Sequence, residues 1–189
     1  MPTSSDDRRK EFILAANTVF EQKGARRATI SDITDSMGVT RSLFYHYFRD
    51  KEDIVNATID AHVDAFVNGY NEWLRSEESQ DMRDRILHAV RFVRSYLVNS
   101  IPFGGSIEKP DDGALFQRFA IRSASRLADS YGSPQDGYMV SYTDSRLSHP
   151  RESFYVLLMG IVSLIYAKPE IEDEVLVDMI ADTLHIAIS

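Results

Sequence analysis

The chain has 189 residues, 43% of them hydrophobic and 26% charged, with a formal net charge of −8 and no cysteine. Ordinary apolar content excludes wholesale disorder, and the lack of cysteine excludes disulfides, thiolate metal sites and a cysteine nucleophile. The acidic balance excludes indiscriminate nucleic-acid binding but is uneven: residues 1–51 hold nine Lys/Arg and seven Asp/Glu, a balance of +2 that leaves −10 for the remainder, so only the N-terminal part suits a phosphate backbone.

In chain order, Phe12, Ile13, Ala16, Val19 and Phe20 recur at helical spacing, and Gly24 supplies a stop. Thr29 is placed to cap a short second helix carrying Ile30, Ile33 and Met37, which ends at Gly38, a residue suited to the left-handed conformation of a tight turn. Thr40 is placed to cap a third helix, RSLFYHYF, with Phe44 and Phe48 on one face; Asp50 is placed to cap a fourth that starts at Lys51 and runs to about Leu74. Further helical segments are expected at roughly 81–99, 113–130, 134–147, 152–167 and 170–188, separated by breaks that carry glycine or proline. Strand alternation and repeats are lacking, so the expected fold is all-α: a three-helix unit with a helix-turn-helix over 1–50, then a larger helical domain over 51–189.

A helix-turn-helix reads DNA by setting its second helix in the major groove, where the first residues of that helix meet base edges and flanking polar groups meet phosphates. Arg41 in the first turn of the third helix can reach guanine, Ser42 can hydrogen-bond, and Leu43 can pack on a thymine methyl. Thr29, Ser31, Thr40, Tyr45, His46, Tyr47 and Lys51 supply positioning groups around the same surface.

The segment ISDITDSMGVTRSLFYHYFRDKEDIV, residues 30–55, resembles the DNA-binding segment of the tetracycline-repressor (TetR) family. The spacing from Thr29 through Gly38-Val39 and Tyr45 to Phe48 and Lys51 matches in register. The resemblance implies phosphate contacts at Tyr45 and Lys51 and core roles for Phe44 and Phe48. Thr34, Ser36 and Met37 depart from the small residues common at their positions, and Leu43 replaces a frequent threonine, which bears on base preference. Also implied are a near-palindromic double-stranded DNA operator, homodimerisation, and repression relieved by a small-molecule effector bound in the 60–166 region, which would tilt the long fourth helix.

In the larger domain His62, Phe66, Tyr70, Trp73, Phe92, Tyr96, Phe103, Phe116 and Phe119 are candidate pocket lining, with ordinary core packing as the alternative for each. Phe154 to Ala167 carries no charge, so its helix is expected to bury nearly its whole circumference. A four-helix interface between two subunits, using Phe154, Leu157, Leu158, Gly160, Ile161, Ile165, Val175, Met179 and Leu184, is the economical explanation; burial within one subunit is the alternative. The Arg118, Arg122 and Arg126 row reads as a solvated face paired with carboxylates.

The histidines at 46, 62, 88, 149 and 185 lack metal-ligand spacing with carboxylates, and no nucleophile–base pair stands out, so neither metal, cofactor nor catalysis is expected. The opening MPTSSDDRRKEF lacks a signal-peptide core, and Phe154 to Ala167 falls short of the ~18 residues that span a bilayer; a cytoplasmic protein with no membrane partner is expected. The competing function is a DNA-bound scaffold that recruits a protein partner instead of a metabolite, which a filled core with an exposed apolar patch would favour.

Overall fold

The computed structural model describes residues 5–99, 113–130 and 148–186. Among these there are eight α-helices and no strand: α1 (Ser5–Lys23), α2 (Ile30–Ser36), α3 (Arg41–Tyr47), α4 (Lys51–Ser76), α5 (Met82–Asn99), α6 (Gly113–Ser130), α7 (Pro150–Ala167) and α8 (Asp173–Leu184). The all-α expectation therefore describes the chain, while the segment expected at 134–147 lies outside the described residues. The described residues group into two compact units, 5–65 with 113–119, and 66–99 with 120–130 and 148–186. The division falls inside α4, which is continuous and contributes to both units.

In the first unit the helix ends follow local chemistry. Gly24, at φ +77°, donates its amide to the Phe20 carbonyl at 2.8 Å and closes α1 in a left-handed conformation that a Cβ would strain. Thr29 and Asp32 form a reciprocal capping box at α2: Thr29 Oγ1 accepts from the Asp32 amide, and Asp32 Oδ2 accepts from the Thr29 amide at 2.8 Å. At α4 Asp50 Oδ1 accepts from the Asp53 amide at 2.8 Å, while Asp53 Oδ2 accepts from the amide of the preceding Arg49 at 3.0 Å. Between α1 and α3 the core is aromatic and full: Phe12, Phe20, Phe44 and Phe48 are at most 1% exposed, and Phe12 meets Phe44 and Phe48 edge-on at 5.9 and 6.1 Å.

In the second unit α5 packs against α8 and α7, and α7 against α8. Pro150 opens α7 in its first turn, where its missing N–H costs nothing. Arg94 clamps the α7–α8 connection, donating to Asp173 Oδ1 at 2.7 Å and to the Pro169 and Ile171 carbonyls at 2.8 and 2.6 Å. Arg83 reaches Glu174 and Asp178 of α8 at 2.6 and 3.0 Å. The second half of α4 meets α5 through rings, Phe66 on Tyr96 at 4.8 Å and Trp73 stacked on Phe92 at 5.9 Å.

Candidate functional site

Two places carry chemistry, one in each unit. In the first, α2 and α3 meet through the Gly38 turn. Gly38 adopts φ +64° with open space around it, and the Val39 amide reaches back to the Thr34 carbonyl at 3.0 Å. Thr40 then caps α3, its hydroxyl accepting from the Leu43 amide at 3.4 Å.

The seven residues of α3 divide cleanly by the helical period. Leu43, Phe44 and Tyr47, with Phe48 at the end, form the packed side: Phe44 and Phe48 are buried, Leu43 is half-buried, and the half-buried Tyr47 ring lies 5.7 Å from Phe12. Arg41, Ser42, Tyr45 and His46 form the outer side and are exposed, Tyr45 at 50% with its ring edge-on to Phe44. Of the three base-reading candidates, Arg41 and Ser42 therefore stand on the open face, whereas Leu43 leans toward the core.

The positioning candidates also separate. Thr29 is exposed at the start of α2, and Ser31 lies half-buried in its first turn. Lys51 is half-buried and donates from Nζ to the Arg26 carbonyl at 2.9 Å, tying the start of α4 to the turn before α2. A lysine ammonium has two further donors for a phosphate. Asp32 sits beside this surface: hydrogen bonds from Lys23 and Thr29 hold its carboxyl at about 2, so it remains an anion that fixes Thr29 and Lys23 in place. Sequence reasoning passed over Arg26 and Arg49, both exposed in the turns that precede α2 and α4; the signal available was the +2 balance of residues 1–51, which does not single out positions.

In the second unit α4, α5, α7 and α8 line a cavity of about 100 Å³. Its wall is formed by Tyr70, Trp73 and Leu74 of α4, by Met82, Arg85, Ile86, Ala89, Val90 and Val93 of α5, by Phe154, Leu157, Leu158 and Ile161 of α7, and by Ile180, Leu184 and Ile186. Arg85 supplies the one formal charge of that wall and is 9% exposed.

Of the residues expected to line a pocket, Tyr70 and Trp73 do so. Phe66, Phe92 and Tyr96 pack on one another instead. Phe116 and Phe119 belong to the first unit, where Phe119 is buried, and Phe103 lies outside the described residues. His62, also in the first unit, donates from Nε2 to Asn17 Oδ1 at 2.7 Å and is held below its ordinary pKa by burial, so it is a neutral tie between α1 and α4.

The interface candidates divide by exposure: Leu157 and Leu158 are half-buried and Gly160, Val175 and Met179 exposed. Phe154, Leu157, Leu158, Ile161 and Leu184 face the cavity, and Ile165 is wholly buried. An uncharged helix shows no polar face in its sequence, so periodicity could not say which side of α7 points inward. Beyond its first turn α7 leaves open Val156, Gly160, Ser163 and Ala167, at intervals of four, three and four; among the apolar residues of α8, Val175 and Met179 are exposed at 45% and 42%.

Of the arginine row, Arg118 pairs with Glu52 at 2.7 Å, whereas Asp129 is taken by Arg151 of α7. Among the described residues no helix is long and apolar enough to cross a membrane.

Residues 12–58, which contain the capped α2–turn–α3 unit, match the family described as bacterial regulatory proteins, tetR family. The match covers this helix-turn-helix segment and not the rest of the chain. Relatives of the chain include the transcriptional activator FasR of Mycolicibacterium smegmatis, 34% identical over 85 residues, covering 45% of this chain and 38% of that protein. The transcriptional repressor KstR2 of Mycobacterium tuberculosis is 23% identical over 183 residues, covering 97% of this chain and 80% of that one. The first relatives are matched over about two fifths of their length, 38% for FasR and for the Mycolicibacterium KstR2.

Solved structures share the fold along the chain. The repressor QsdR of R. erythropolis superposes with a TM-score of 0.61 at 19% identity, covering 98% of each chain. RolR, solved with resorcinol, gives 0.60 at 15% identity, covering 97% of this chain and 89% of that one.

Proposed function

We propose that this chain is a sequence-specific DNA-binding transcriptional regulator of the TetR family, a repressor released from a near-palindromic operator by a small molecule held in the second unit. The observation that carries the reading is the division of α3: four polar or charged side chains stand outward from a helix whose other side is locked in an aromatic core. A groove-reading helix requires that combination, because its donors must be presented without the helix itself yielding.

One recognition helix reads few base pairs, so selectivity calls for two of them about 34 Å apart on a two-fold site. The exposed stripe Val156, Gly160, Ser163 and Ala167, with Val175 and Met179, supports a homodimer whose helices approach closely at Gly160. The apolar cavity supports an effector more than a recruited protein, since a recruiting domain has no use for internal space. An effector that favours one tilt of α4 by ~1–3 kcal/mol gives a useful response.

The test is selection of duplexes from a random pool at near-physiological salt. Recovery of a two-fold sequence with half-sites one turn apart is the expected result. Recovery of no preferred sequence, with weak salt-sensitive binding alone, would contradict the proposal.

A further inference from the structure

The cavity of the second unit offers a ligand almost no polar surface. Apart from Arg85 its described lining residues are aliphatic or aromatic, with no carboxylate, amide, imidazole or aliphatic hydroxyl among them. We propose that the effector is an uncharged, hydrocarbon-like molecule of about one ring, held in this cavity by shape and apolar contact. This inference rests on the reading of the cavity as the effector site.

The polarity of the wall selects the class. The Arg85 charge is met by Glu77, a carboxylate that does not line the cavity. Burial pushes the Glu77 carboxyl up, but the Ser79 amide, the His88 ring and the Arg85 charge outweigh burial and keep it an anion. What Arg85 lends the wall is therefore its methylene stem, which covers apolar surface as well as any aliphatic side chain does. An ionised ligand would leave its hydration behind and find no counter-charge in exchange, and a hydroxyl would be buried without a partner. A molecule with no polar group to desolvate meets neither cost and gains from every apolar contact it makes.

The volume selects the size. An apolar cavity of roughly 150 Å³ stays dry and accepts benzene; at about 100 Å³ this one takes a single ring when its softest side chain gives way. That side chain is Met82, half-buried, unbranched and free to change rotamer. The opposite choice, movement of Trp73, is blocked by the Tyr70 ring at 5.3 Å and the Phe92 ring stacked at 5.9 Å. A second fused ring has no room without displacing aliphatic side chains that are packed on other helices.

Trp73 is the single tryptophan of the chain and lines the cavity, so its fluorescence reports occupancy, and the melting temperature gives a second readout. The experiment titrates the full chain with toluene, with its isostere phenol, with benzoate and benzylammonium, and with naphthalene. Toluene is expected to give a saturable response below its solubility limit and to raise the melting temperature. Phenol is expected to bind about tenfold more weakly, and the two ions roughly a hundredfold more weakly or worse. Naphthalene, although more apolar than toluene, is expected to bind less tightly. Ala89→Leu, which adds volume to the wall, is expected to abolish the toluene response without lowering the melting temperature.

Phenol, benzoate or benzylammonium binding as tightly as toluene would overturn the hydrocarbon-like assignment and leave the effector reading in place. Naphthalene binding more tightly than toluene would overturn the size limit. No response to any probe in either readout would overturn both the ligand class and the effector reading. Toluene binding that leaves the affinity for a selected two-fold duplex unchanged would support the ligand class and overturn the effector reading. The wild-type comparisons stand whether or not the Ala89 variant folds.

Discussion

The two units use apolar side chains to different ends. Around α3 the space is full: Phe12, Phe44 and Phe48 interlock at ring distances of 5.5–6.1 Å and are at most 1% exposed. Between α4, α5, α7 and α8 the same kind of side chain stops short and leaves about 100 Å³. Packing density explains what each region can do. A filled core transmits no choice of position to the face it supports, which suits the presentation of Arg41, Ser42, Tyr45 and His46 to a rigid partner. An underfilled one has stabilising contacts still to be made, and a ligand that makes them shifts the population toward the state it fills.

The contrast can be broken most directly by truncating the filled core. Phe44→Ala removes a wholly buried ring that touches Phe12, Phe48 and Tyr45 and is expected to cost about 3–5 kcal/mol, measured by denaturant unfolding. DNA binding should fall with the fold.

Enlarging alanines tests the two regions against each other. Ala16, wholly buried in α1, has no room to grow, so Ala16→Leu is expected to destabilise by about 1–3 kcal/mol. Ala89 lines the cavity, and Ala89→Leu should stabilise by about 0.5–2 kcal/mol while blocking ligand. Opposite signs in paired melting curves confirm the difference; a loss at both sites would mean that the second unit is as full as the first.

Smaller effects sharpen the account of the reading face. Thr29→Ala dismantles the α2 capping box and is expected to cost about 1 kcal/mol, seen in the same unfolding measurement. Asp32 adds a pH dependence. Its carboxyl titrates at about 2, below the ordinary 3.8, because Lys23 and Thr29 bind the anion. As pH falls the unfolded chain takes up the proton first, so the stability Asp32 confers is whole above the unfolded value and is lost as pH falls through about 2. The difference in melting temperature between wild type and Asp32→Asn is therefore expected to shrink on acidification from about pH 5.

Much of the first unit was legible because its determinants are local. A threonine before a short apolar helix, a glycine between two such helices and an aspartate before a third specify caps and a turn within a few residues, and the α2 to α4 starts follow from them. The outer face of α3 was partly legible: Leu43 and Tyr47 were grouped with the open residues because residue type alone suggested contact, whereas the 3.6-residue period sets both against the core. The second unit resisted for a physical reason. Ile86, Val90 and Val93 repeat at helical spacing whether they meet another side chain or a void, and α7 carries no charge from Phe154 on, so nothing in its sequence distinguishes Ile161, inside, from Gly160, outside. The aromatics expected at the pocket, Phe66, Phe92 and Tyr96, are large enough to find one another and fill their own contact.

The central claim is that the open face of α3 reads bases. The most direct measurement compares wild type and Arg41→Ala on a selected two-fold duplex and on duplexes substituted at single positions. If Arg41 reads a base, the variant loses about 1–3 kcal/mol per half-site and becomes indifferent to one base pair in each, with other positions still discriminated. A uniform loss across all duplexes, or none, would contradict the account and reduce Arg41 to a phosphate contact or a bystander.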